Sequence, residues 1–463
     1  MATPRTLASI WAAKTAAAAS RALRRGGGTA ASGLVGLWLN PGLIHDLAAQ
    51  LGEGCVVVTG TNGKTTTSLL ISETARAAGL LPLANSSGSN LTRGIASALA
   101  MAVDADGGLD DAGRGLGVFE VDEATLTQAL PELNPRVAVF TNLFRDQLDR
   151  YGEVDTVVAR WRDVIANAPP ELRLVLNADD PNVASLGKDR DGVTYFGVED
   201  RNLDAGAPEH ASDALFCRCG GRLEYAVAFY GHVGHWSCPS CGRIRPKPNI
   251  AARLIKLGDG HSARFQLESH GEKSTLQLGI GGLYNVYNAL AAAAAAEALG
   301  LPRTALESSL TSTGAAFGRQ EAFEVDGRRV EVYLGKNPAG LNQVLSTLLL
   351  DEARRTALIV LNDDIADGRD ISWIWDADFE IAAGRLEHVI VSGTRAAEMA
   401  LRLKYAEWYE STLEVVPDIS AALASALGAT PDGECLAVIP TYTAMLTVRE
   451  LLAARAGKEP FWR

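Results

Sequence analysis

The sequence predicts an α/β protein with parallel sheets, because short β-branched runs alternate with helical stretches in two separate blocks. The first block begins at Cys55 and contains the runs CVVVTG, GLGVFEVDE, RVAVFTN and LRLVLNADD. The second begins after about residue 330 with TALIVLND, EHVIVSG and ECLAVIP. We therefore predict a basic helical segment over residues 1–50, a central α/β domain over 51–318 and a smaller doubly wound domain over 319–463.

The composition excludes several classes of protein. The 463 residues include 43 basic and 55 acidic side chains, so the formal net charge is -12 and no overall positive field attracts nucleic acid. A hydrophobic fraction of 47% and a charged fraction of 21% are typical of a globular chain. The longest apolar run, residues 289–296, is shorter than the roughly 18 to 20 residues of a membrane-spanning helix.

The N-terminal segment is basic and predicted to be helical. The first acidic residue is Asp46. Before it, among alanines and leucines, come Arg5, Lys14, Arg21, Arg24 and Arg25. The leading interpretation is a helix packed on the body of the protein, and a helix resting on an anionic membrane face remains an alternative. A cleaved targeting peptide is disfavoured because Lys14 interrupts the apolar stretch.

A phosphate loop directly follows the first predicted strand and opens a helix. Its residues are Gly60, Thr61, Asn62, Gly63, Lys64, Thr65 and Thr66. Glycines let backbone N–H groups turn toward phosphate oxygens, and the helix N-terminus adds a favourable dipole. Lys64 is predicted to reach the terminal phosphates and Thr65 to ligate Mg²⁺. The loop is shorter than the common pattern, since Val58 stands where that pattern has its first glycine.

Acidic and amide side chains follow the next two strands. Glu120, at the end of GLGVFE, is the predicted carboxylate ligand of the nucleotide-bound Mg²⁺, whereas Glu123 is expected to be a solvated loop charge. A dense polar cluster over residues 141–152 closes the following strand. Because open α/β sheets bind ligands at the carboxyl ends of their strands, these groups predict the binding site.

A cysteine-bearing insertion at about residues 214–246 predicts a zinc ribbon. Its four cysteines are Cys217, Cys219, Cys238 and Cys241. The second pair has standard knuckle spacing, but the first has one intervening residue where a knuckle has two. We predict a structural four-thiolate Zn²⁺ site. Replacement of Cys217 by His232 or His235, and the absence of a metal, remain alternatives.

The order of the motifs GTNGKTTT, EVDE, TNLFRDQLDRYGE, LNADDP, GLYNVYNALAAAAAA and GRQE resembles the Mur ligase superfamily of ATP-dependent amide-forming enzymes. The resemblance implies a Mur-ligase-like central P-loop domain carrying the zinc-ribbon insertion, followed by a Rossmann-like C-terminal α/β domain. It also implies an ATP site between these domains, where Asn285 and Asn288 contact the nucleotide and Arg319 stabilises the transferring phosphoryl group. Helix capping by the asparagines and an interdomain salt bridge of Arg319 are the alternatives.

Departures from the typical pattern narrow the resemblance. Only about 50 residues precede the phosphate loop, so a separate UDP-binding domain is not expected. Asp146-Gln147-Leu148-Asp149 replaces Asp-His-Leu-Asp, and Lys336-Asn337-Pro338 replaces His-Asn-Pro. With LGKNPAGLNQVL and NDDIADGRDISWIWDADFE, these changes are similar to the ligase subunits of lipid II isoglutaminyl synthases.

That resemblance implies a cytoplasmic carbon-nitrogen ligase, with contact to the inner face of the membrane left open. It would convert the D-isoglutamate α-carboxylate of lipid II, a lipid-linked peptidoglycan precursor, to an amide with ATP and ammonia through an acyl phosphate. The ammonia would come from a GatD-like class I glutamine amidotransferase, the second subunit of a heterodimer. An aspartate of the C-terminal domain would complete the partner's Cys-His pair, and we favour Asp370 over Asp367. Both could instead cap a turn.

Two rival functions follow from the same residues. A stand-alone amino-acid ligase of the folylpolyglutamate type would need no partner, but Cys55 and Cys435 lie in predicted strands and are expected to be inert, which favours an external source of ammonia. A nucleotide-switched zinc-ribbon protein would bind nucleic acid. The acidic balance of the chain disfavours this second rival.

Overall fold

The computed structural model describes residues 3–22, 29–85, 89–146, 154–206, 212–258, 260–314, 319–350 and 356–457. These residues form a nine-stranded sheet, a six-stranded sheet and a two-stranded hairpin. The predicted α/β class is confirmed. The predicted domain boundary at residue 318 lies outside the described residues.

Among the described residues, three helices precede the first strand: α1 (Pro4–Ala22), α2 (Thr29–Leu39) and α3 (Leu43–Ala48). Ile10, Ala13 and Ala17 of α1 are buried, and Ile10 and Ala13 share a core with Leu43 and Ile44 of α3. The inner side of α1 therefore packs on the body of the protein. None of the described helices has the length and apolarity that crossing a bilayer requires.

The large sheet runs in the order β11-β10-β9-β6-β5-β4-β1-β3-β2. Its strands are β1 (Cys55–Thr59), β2 (Leu81–Ala84), β3 (Gly115–Glu120), β4 (Val137–Phe140), β5 (Arg173–Asn177), β6 (Val193–Val198), β9 (Ile250–Gly258), β10 (Ser262–Ser269) and β11 (Glu272–Leu278). Between β6 and β9, the strands β7 (Glu224–Tyr230) and β8 (Val233–Ser237) form the separate hairpin. Within this sheet β1 to β6 and β9 are parallel, and β10 and β11 add an antiparallel hairpin next to β9.

Helices cover both faces of this sheet, which is why β1, β3 and β4 read as nearly continuous apolar runs rather than alternating ones. They are α4 (Lys64–Ala77), α5 (Thr92–Ala102), α6 (Leu126–Leu133), α7 (Val154–Ala166), α8 (Pro181–Ala184), α9 (Leu283–Leu299) and α10 (Arg303–Ser312). The run 289–296 of α9, which consists of Leu290 and seven alanines, is buried throughout. Its small side chains let this helix lie close to the strands, which places the start of α9 beside the phosphate loop.

The six-stranded sheet has the order β12-β13-β17-β14-β15-β16, in which β12 is antiparallel to β13 and the other described strands pair in parallel. Its elements are β12 (Arg319–Val325), β13 (Arg328–Tyr333), α11 (Pro338–Leu348), β14 (Thr356–Val360), β15 (His388–Ser392), α12 (Ala396–Tyr405), β16 (Leu413–Val415), α13 (Ile419–Ala429), β17 (Cys435–Pro440) and α14 (Tyr442–Arg455). Separate apolar clusters fill its two faces. The second α/β block of the sequence is thus a second wound sheet.

Candidate functional site

The phosphate loop leaves β1 at the carboxyl edge of the large sheet and enters α4 at Lys64. Gly60 and Gly63 have φ angles of 128° and 87°, a region that glycine adopts most readily. A Cβ atom at Gly60 would lie 2.2 Å from the Thr141 hydroxyl, so only glycine fits there. The loop therefore presents the first amides of α4 to the space above the sheet.

Lys64 is held inside this loop. Its side chain is nearly buried, and its ammonium donates to the carbonyl oxygens of Gly60 at 2.5 Å and Thr61 at 3.2 Å. It also pairs with the Glu123 carboxylate at 3.3 Å. Although burial favours the neutral acid, Lys64 and Lys336 hold the pKa of Glu123 below its ordinary value. The expectation of a solvated Glu123 was wrong, because the segment after β3 turns back under the loop rather than into solvent.

Thr65 and Glu120, the two predicted Mg²⁺ ligands, lie side by side. The Thr65 hydroxyl donates to the Glu120 carboxylate at 2.8 Å. Glu120 is only 7% exposed, and its backbone N–H donates to the Asn85 side chain at 2.9 Å. Two hard oxygen ligands next to the phosphate loop fit a nucleotide-bound Mg²⁺.

Asn285 and Asn288 lie in the first turns of α9, against the phosphate loop. Asn288 donates to the Asn285 side chain at 3.0 Å, and Asn285 donates to the Gly281 carbonyl at 2.7 Å. A Cβ atom at Gly63 would lie 2.1 Å from the Asn288 amide oxygen. The two asparagines therefore set the wall of the loop and do not cap the helix with a side-chain hydrogen bond.

A cleft opens between the phosphate loop and the six-stranded sheet. Asn62 and Asn142 line it from the large sheet, Tyr230 from the β7–β8 hairpin, and Tyr333 and Gly340 from the C-terminal part. A mixed aromatic and amide lining beside a phosphate loop is suited to a nucleotide.

Side chains from the two α/β parts meet across this cleft. The Asn62 and Asn337 amides exchange hydrogen bonds of 3.0 and 3.3 Å. Lys336 forms an ion pair with Asp146, which is 9% exposed. Burial raises the pKa of Asp146 more than the neighbouring Lys336 lowers it. Sequence reasoning noted Lys336 and Asn337 only as departures from a family pattern and missed these contacts.

Part of the predicted site is not described. Arg319 begins β12, but its side chain lies outside the described residues, as do Gly318 and residues 147–152 of the polar cluster. The adjacent Gln320 is described, and it accepts from the Gly281 N–H at 2.9 Å. The GRQE motif therefore begins the C-terminal sheet next to the start of α9.

The loop after β4 carries Asn142, Arg145 and Asp146 and lies on the phosphate loop. Asn142 accepts from the Asn62 N–H at 2.9 Å. Thr61 and Phe144 exchange hydrogen bonds of 3.0 and 3.1 Å. A shift of the β4 loop would therefore displace the residues that face a bound nucleotide.

The base of the cysteine insertion clamps this loop. Asp213 accepts from the Arg145 backbone N–H at 2.8 Å and pairs with the Arg145 guanidinium. The Asp213 backbone N–H in turn donates to Nδ1 of His232 at 3.2 Å, and the His232 ring lies 4.4 Å from that of Phe144. Arg145 also reaches Asp376 of the C-terminal part at 3.4 Å. The insertion is thus tied to the nucleotide site, which the sequence did not indicate.

The four cysteines of the insertion converge. Their sulfur atoms lie within 4.8 Å of one another, with Cys217 3.7 Å from Cys241 and Cys219 3.6 Å from Cys238. A tetrahedral zinc site with Zn–S bonds of about 2.3 Å separates its sulfurs by about 3.8 Å, so this cluster fits the ion.

The two histidines proposed as alternatives have other partners. His232 is fully buried, and its Nε2 lies 3.3 Å from the Asp180 carboxylate. Nε2 of His235 lies 2.8 Å from the Val198 carbonyl. The geometry therefore favours the four-cysteine set over either histidine-containing one.

Asp367 and Asp370 differ sharply in accessibility. Asp367 is 4% exposed and accepts from the N–H and hydroxyl of Thr443, and burial raises its pKa. Asp370 is exposed, and hydrogen bonds from Ser372 hold the pKa of Asp370 below its ordinary value. Of the two, only Asp370 offers its carboxylate at the surface.

The two cysteines outside the cluster, Cys55 and Cys435, differ in burial. Cys55 is 1% exposed, and burial raises the pKa of its thiol to about 12. Cys435 is half-buried at the start of β17, so it is less enclosed than a strand interior would suggest. Cys55 therefore does not resemble the accessible, low-pKa thiol that a glutaminase uses.

These features define the class of protein, an ATP-dependent ligase of the Mur type. The family model described as the Mur ligase middle domain matches residues 58–234. The solved structure of a pseudomurein peptide ligase type C from Methanothermus fervidus superposes with a TM-score of 0.67, at 24% identity, over 87% of this chain and 79% of that one.

The particular branch follows from the C-terminal part and the full-length relatives. The model described as MurT ligase C-terminal matches residues 334–445. The lipid II isoglutaminyl synthase (glutamine-hydrolyzing) subunit MurT of Staphylococcus aureus (strain COL) is 35% identical over 96% of this chain and 97% of its own length. The protein of the same name from Streptococcus pneumoniae (strain ATCC BAA-255 / R6) is 34% identical over 93% of this chain and 94% of its own. The chain belongs to the MurT family.

Proposed function

We propose that this chain is the ligase subunit of a lipid II isoglutaminyl synthase. It would amidate the D-isoglutamate α-carboxylate of the peptidoglycan stem peptide, using ATP and ammonia. The observation that carries this proposal is the phosphate loop, with Thr65 and Glu120 beside it, opening into a cleft bounded by the C-terminal sheet. Membership of the MurT family supplies the substrate class.

In the proposed mechanism, Lys64 and the loop amides bind the triphosphate. Asn285 and Asn288 form one wall of the nucleotide site. A carboxylate oxygen of the substrate attacks the γ-phosphorus, and ADP leaves as an acyl phosphate forms. Ammonia then attacks the carbonyl carbon, inorganic phosphate leaves, and the nitrogen loses a proton to give the amide. Mg²⁺ held by Thr65 and Glu120 would neutralise phosphate charge, and Arg319 is proposed to stabilise the transferring group.

Lys64 would have to change partners when the nucleotide arrives. In the described structure its ammonium is satisfied by Gly60, Thr61 and Glu123. A γ-phosphate in the loop competes with the Glu123 carboxylate for this cation. Because Glu123 also lies near Lys336, its charge would not be left uncompensated.

Ammonia is proposed to come from a GatD-like class I glutamine amidotransferase, the second subunit of a heterodimer. None of the six cysteines, all of which lie in described segments, offers an exposed thiol outside the four-cysteine cluster. Asp370 is proposed to orient the partner's catalytic histidine. Ile365 and Trp375, which are 76% and 49% exposed, flank this aspartate in sequence and offer apolar area for docking.

The four cysteines are proposed to hold one structural Zn²⁺. Four thiolates leave no open coordination position, so the ion would stabilise the insertion rather than take part in the reaction. Its indirect contribution would pass through Asp213 and His232 to the loop that carries Asn142.

We propose that the substrate is lipid-linked and that the enzyme is cytoplasmic and acts at the inner face of the cell membrane. A test combines the purified chain with its amidotransferase partner, lipid II, ATP, Mg²⁺ and glutamine, and detects the amide by mass spectrometry. Lys64→Ala is expected to abolish amidation, whereas the exposed Lys188→Ala serves as a matched control. Undiminished amidation by Lys64→Ala would refute the assignment of the phosphate loop.

The role of Asp370 has a separate test. Asp370→Asn is expected to abolish glutamine-dependent amidation while leaving amidation driven by ammonium chloride intact, because only the partner's glutaminase is affected. Asp364→Asn, a nearby exposed aspartate, is the control. Equal loss with both nitrogen donors would place Asp370 in the ligase reaction instead.

A further inference from the structure

The outward sides of α1 and α2 expose large apolar side chains to solvent. Trp11 is 53% exposed, Leu34 61% and Trp38 80%. A single exposed apolar residue is ordinary, but three large exposed apolar side chains on two packed helices indicate a surface for binding.

Helical spacing confines these residues to one side of each helix. On α2 the exposed positions are Ala31, Leu34 and Trp38, spaced three and four apart. On α1, Trp11, Thr15 and Ala18 are exposed on the side opposite the buried residues. Because the alanines between them are small, the side chains of Trp11, Leu34 and Trp38 protrude from this surface.

The helix pair is fixed to the body of the protein. The Ser32 and Ser97 hydroxyls share a buried hydrogen bond of 2.7 Å. Gly33 lies so close to α5 that a Cβ atom would be 1.6 Å from the Arg93 carbonyl oxygen. The Arg5 guanidinium donates to the Leu39 carbonyl at 2.9 Å, which joins the two helices. The exposed side is therefore a preformed surface and not a loose tail.

The charge of this segment is opposite to that of the chain as a whole. No acidic residue precedes Asp46, although the chain carries a net charge of -12. Arg5 and Arg21 are exposed at the two ends of α1, and Arg24 and Arg25, which lie outside the described residues, follow in the sequence. Basic residues around an apolar, tryptophan-bearing helical surface are the combination that anionic lipid headgroups attract.

We propose that the outer surface of α1 and α2 binds an anionic lipid bilayer, with both helices lying in the interface. Trp11, Leu34 and Trp38 would enter the boundary between headgroups and acyl chains, where indole rings are favoured, while Arg5 and Arg21 contact lipid phosphates. This deepens the proposed function and rests on it for its purpose, since the surface would bring the cleft to a lipid-linked substrate.

The test measures co-sedimentation of the full-length chain with vesicles of phosphatidylcholine alone or with phosphatidylglycerol. Binding is expected only to the anionic vesicles and to weaken as salt is added. Trp11→Ala/Trp38→Ala should reduce the partition coefficient about tenfold or more, and Arg21→Gln, which removes one charge, should reduce it about fivefold. Phe216→Ala removes an equally exposed aromatic from the cysteine insertion and should bind as the wild type does.

Two results would overturn the proposal. One is a wild-type chain that ignores anionic vesicles, or variants that sediment equally with them. The other is a dimer in lipid-free solution that the tryptophan variant dissociates, because the surface would then be an interface between two copies of this chain.

Activity distinguishes this proposal from the proposed function. The tryptophan variant should amidate a water-soluble, lipid-free precursor normally and a vesicle-embedded precursor more slowly. If neither precursor is amidated by the wild type with its partner, the proposed function fails, whereas vesicle binding would still establish the lipid-binding surface.

Discussion

The contact between Asp213 and Arg145 allows a quantitative test of how the cysteine insertion affects the nucleotide site. The Asp213 side chain is 6% exposed and that of Arg145 is 33% exposed. Asp213 accepts from both the backbone and the guanidinium of Arg145. Asp213→Asn keeps the size of the side chain and one amide oxygen, but it removes the charge.

The expected cost is about 2–3 kcal/mol in the free energy of unfolding, because hydrogen bonds to buried charged groups contribute about 1.5–3 kcal/mol each and the variant weakens two of them. An exposed ion pair provides the control. Glu53 and Arg136 are 3.0 Å apart with side chains 40% and 47% exposed, so Glu53→Gln should cost less than about 1 kcal/mol.

The functional consequence follows from the β4 loop, which Asp213 clamps against the phosphate loop. If about 2 kcal/mol of the loss appears as opening of this loop, the dissociation constant for ATP rises by at most about thirtyfold. Urea unfolding and calorimetry with a non-hydrolysable ATP analogue measure the two effects. An Asp213→Asn variant that binds the analogue as tightly as Glu53→Gln does would show that the insertion does not position this loop.

Three further predictions concern buried charge, thiol reactivity and the metal. Lys336→Ala leaves the buried Asp146 carboxylate without its cation, so we expect a loss of about 3–5 kcal/mol in the free energy of unfolding. Because the pKa of Asp146 is already raised, this carboxylate can be protonated at low pH, which removes the unpaired buried charge. Urea titrations should therefore show a larger loss at about pH 8 than at about pH 5.5. With a pKa of about 12, Cys55 should be thiolate in only about one molecule in ten thousand at about pH 8, and mass-spectrometric mapping after alkylation of the folded chain should find it unmodified. Removal of zinc by a chelator should release about one equivalent of the ion per chain, free the four clustered thiols and weaken ATP binding, whereas unchanged ATP affinity after complete release would separate the insertion from the nucleotide site.

Much of the fold could be predicted from local sequence pattern. Parallel strands that are covered on both faces are apolar along nearly their whole length, so the runs CVVVTG and RVAVFTN predicted the buried strands β1 and β4. The phosphate loop could also be predicted, because its glycines, Lys64 and Thr65 lie within one short segment and its geometry is set by the strand before it and the helix after it.

Other features depended on contacts between residues far apart in the chain. The burial of Glu123 beside Lys64 reflects how the segment after β3 packs, and no local pattern distinguishes it from the neighbouring acids. The spacing of Cys217 and Cys219 did not decide whether both could ligate one metal ion. The folded insertion brings all four sulfur atoms together.

The sequence by itself therefore determined the α/β class, the order of the strands along the chain and the position of the phosphate loop, since these depend on neighbouring residues and on periodicity. Only the tertiary structure decided which charges meet: Lys336 with Asp146 across the cleft, and Arg145 with Asp213 at the insertion. The physical reason is that burial and Coulomb attraction act on distances in space, and residues 190 positions apart carry no mutual signal in a single sequence.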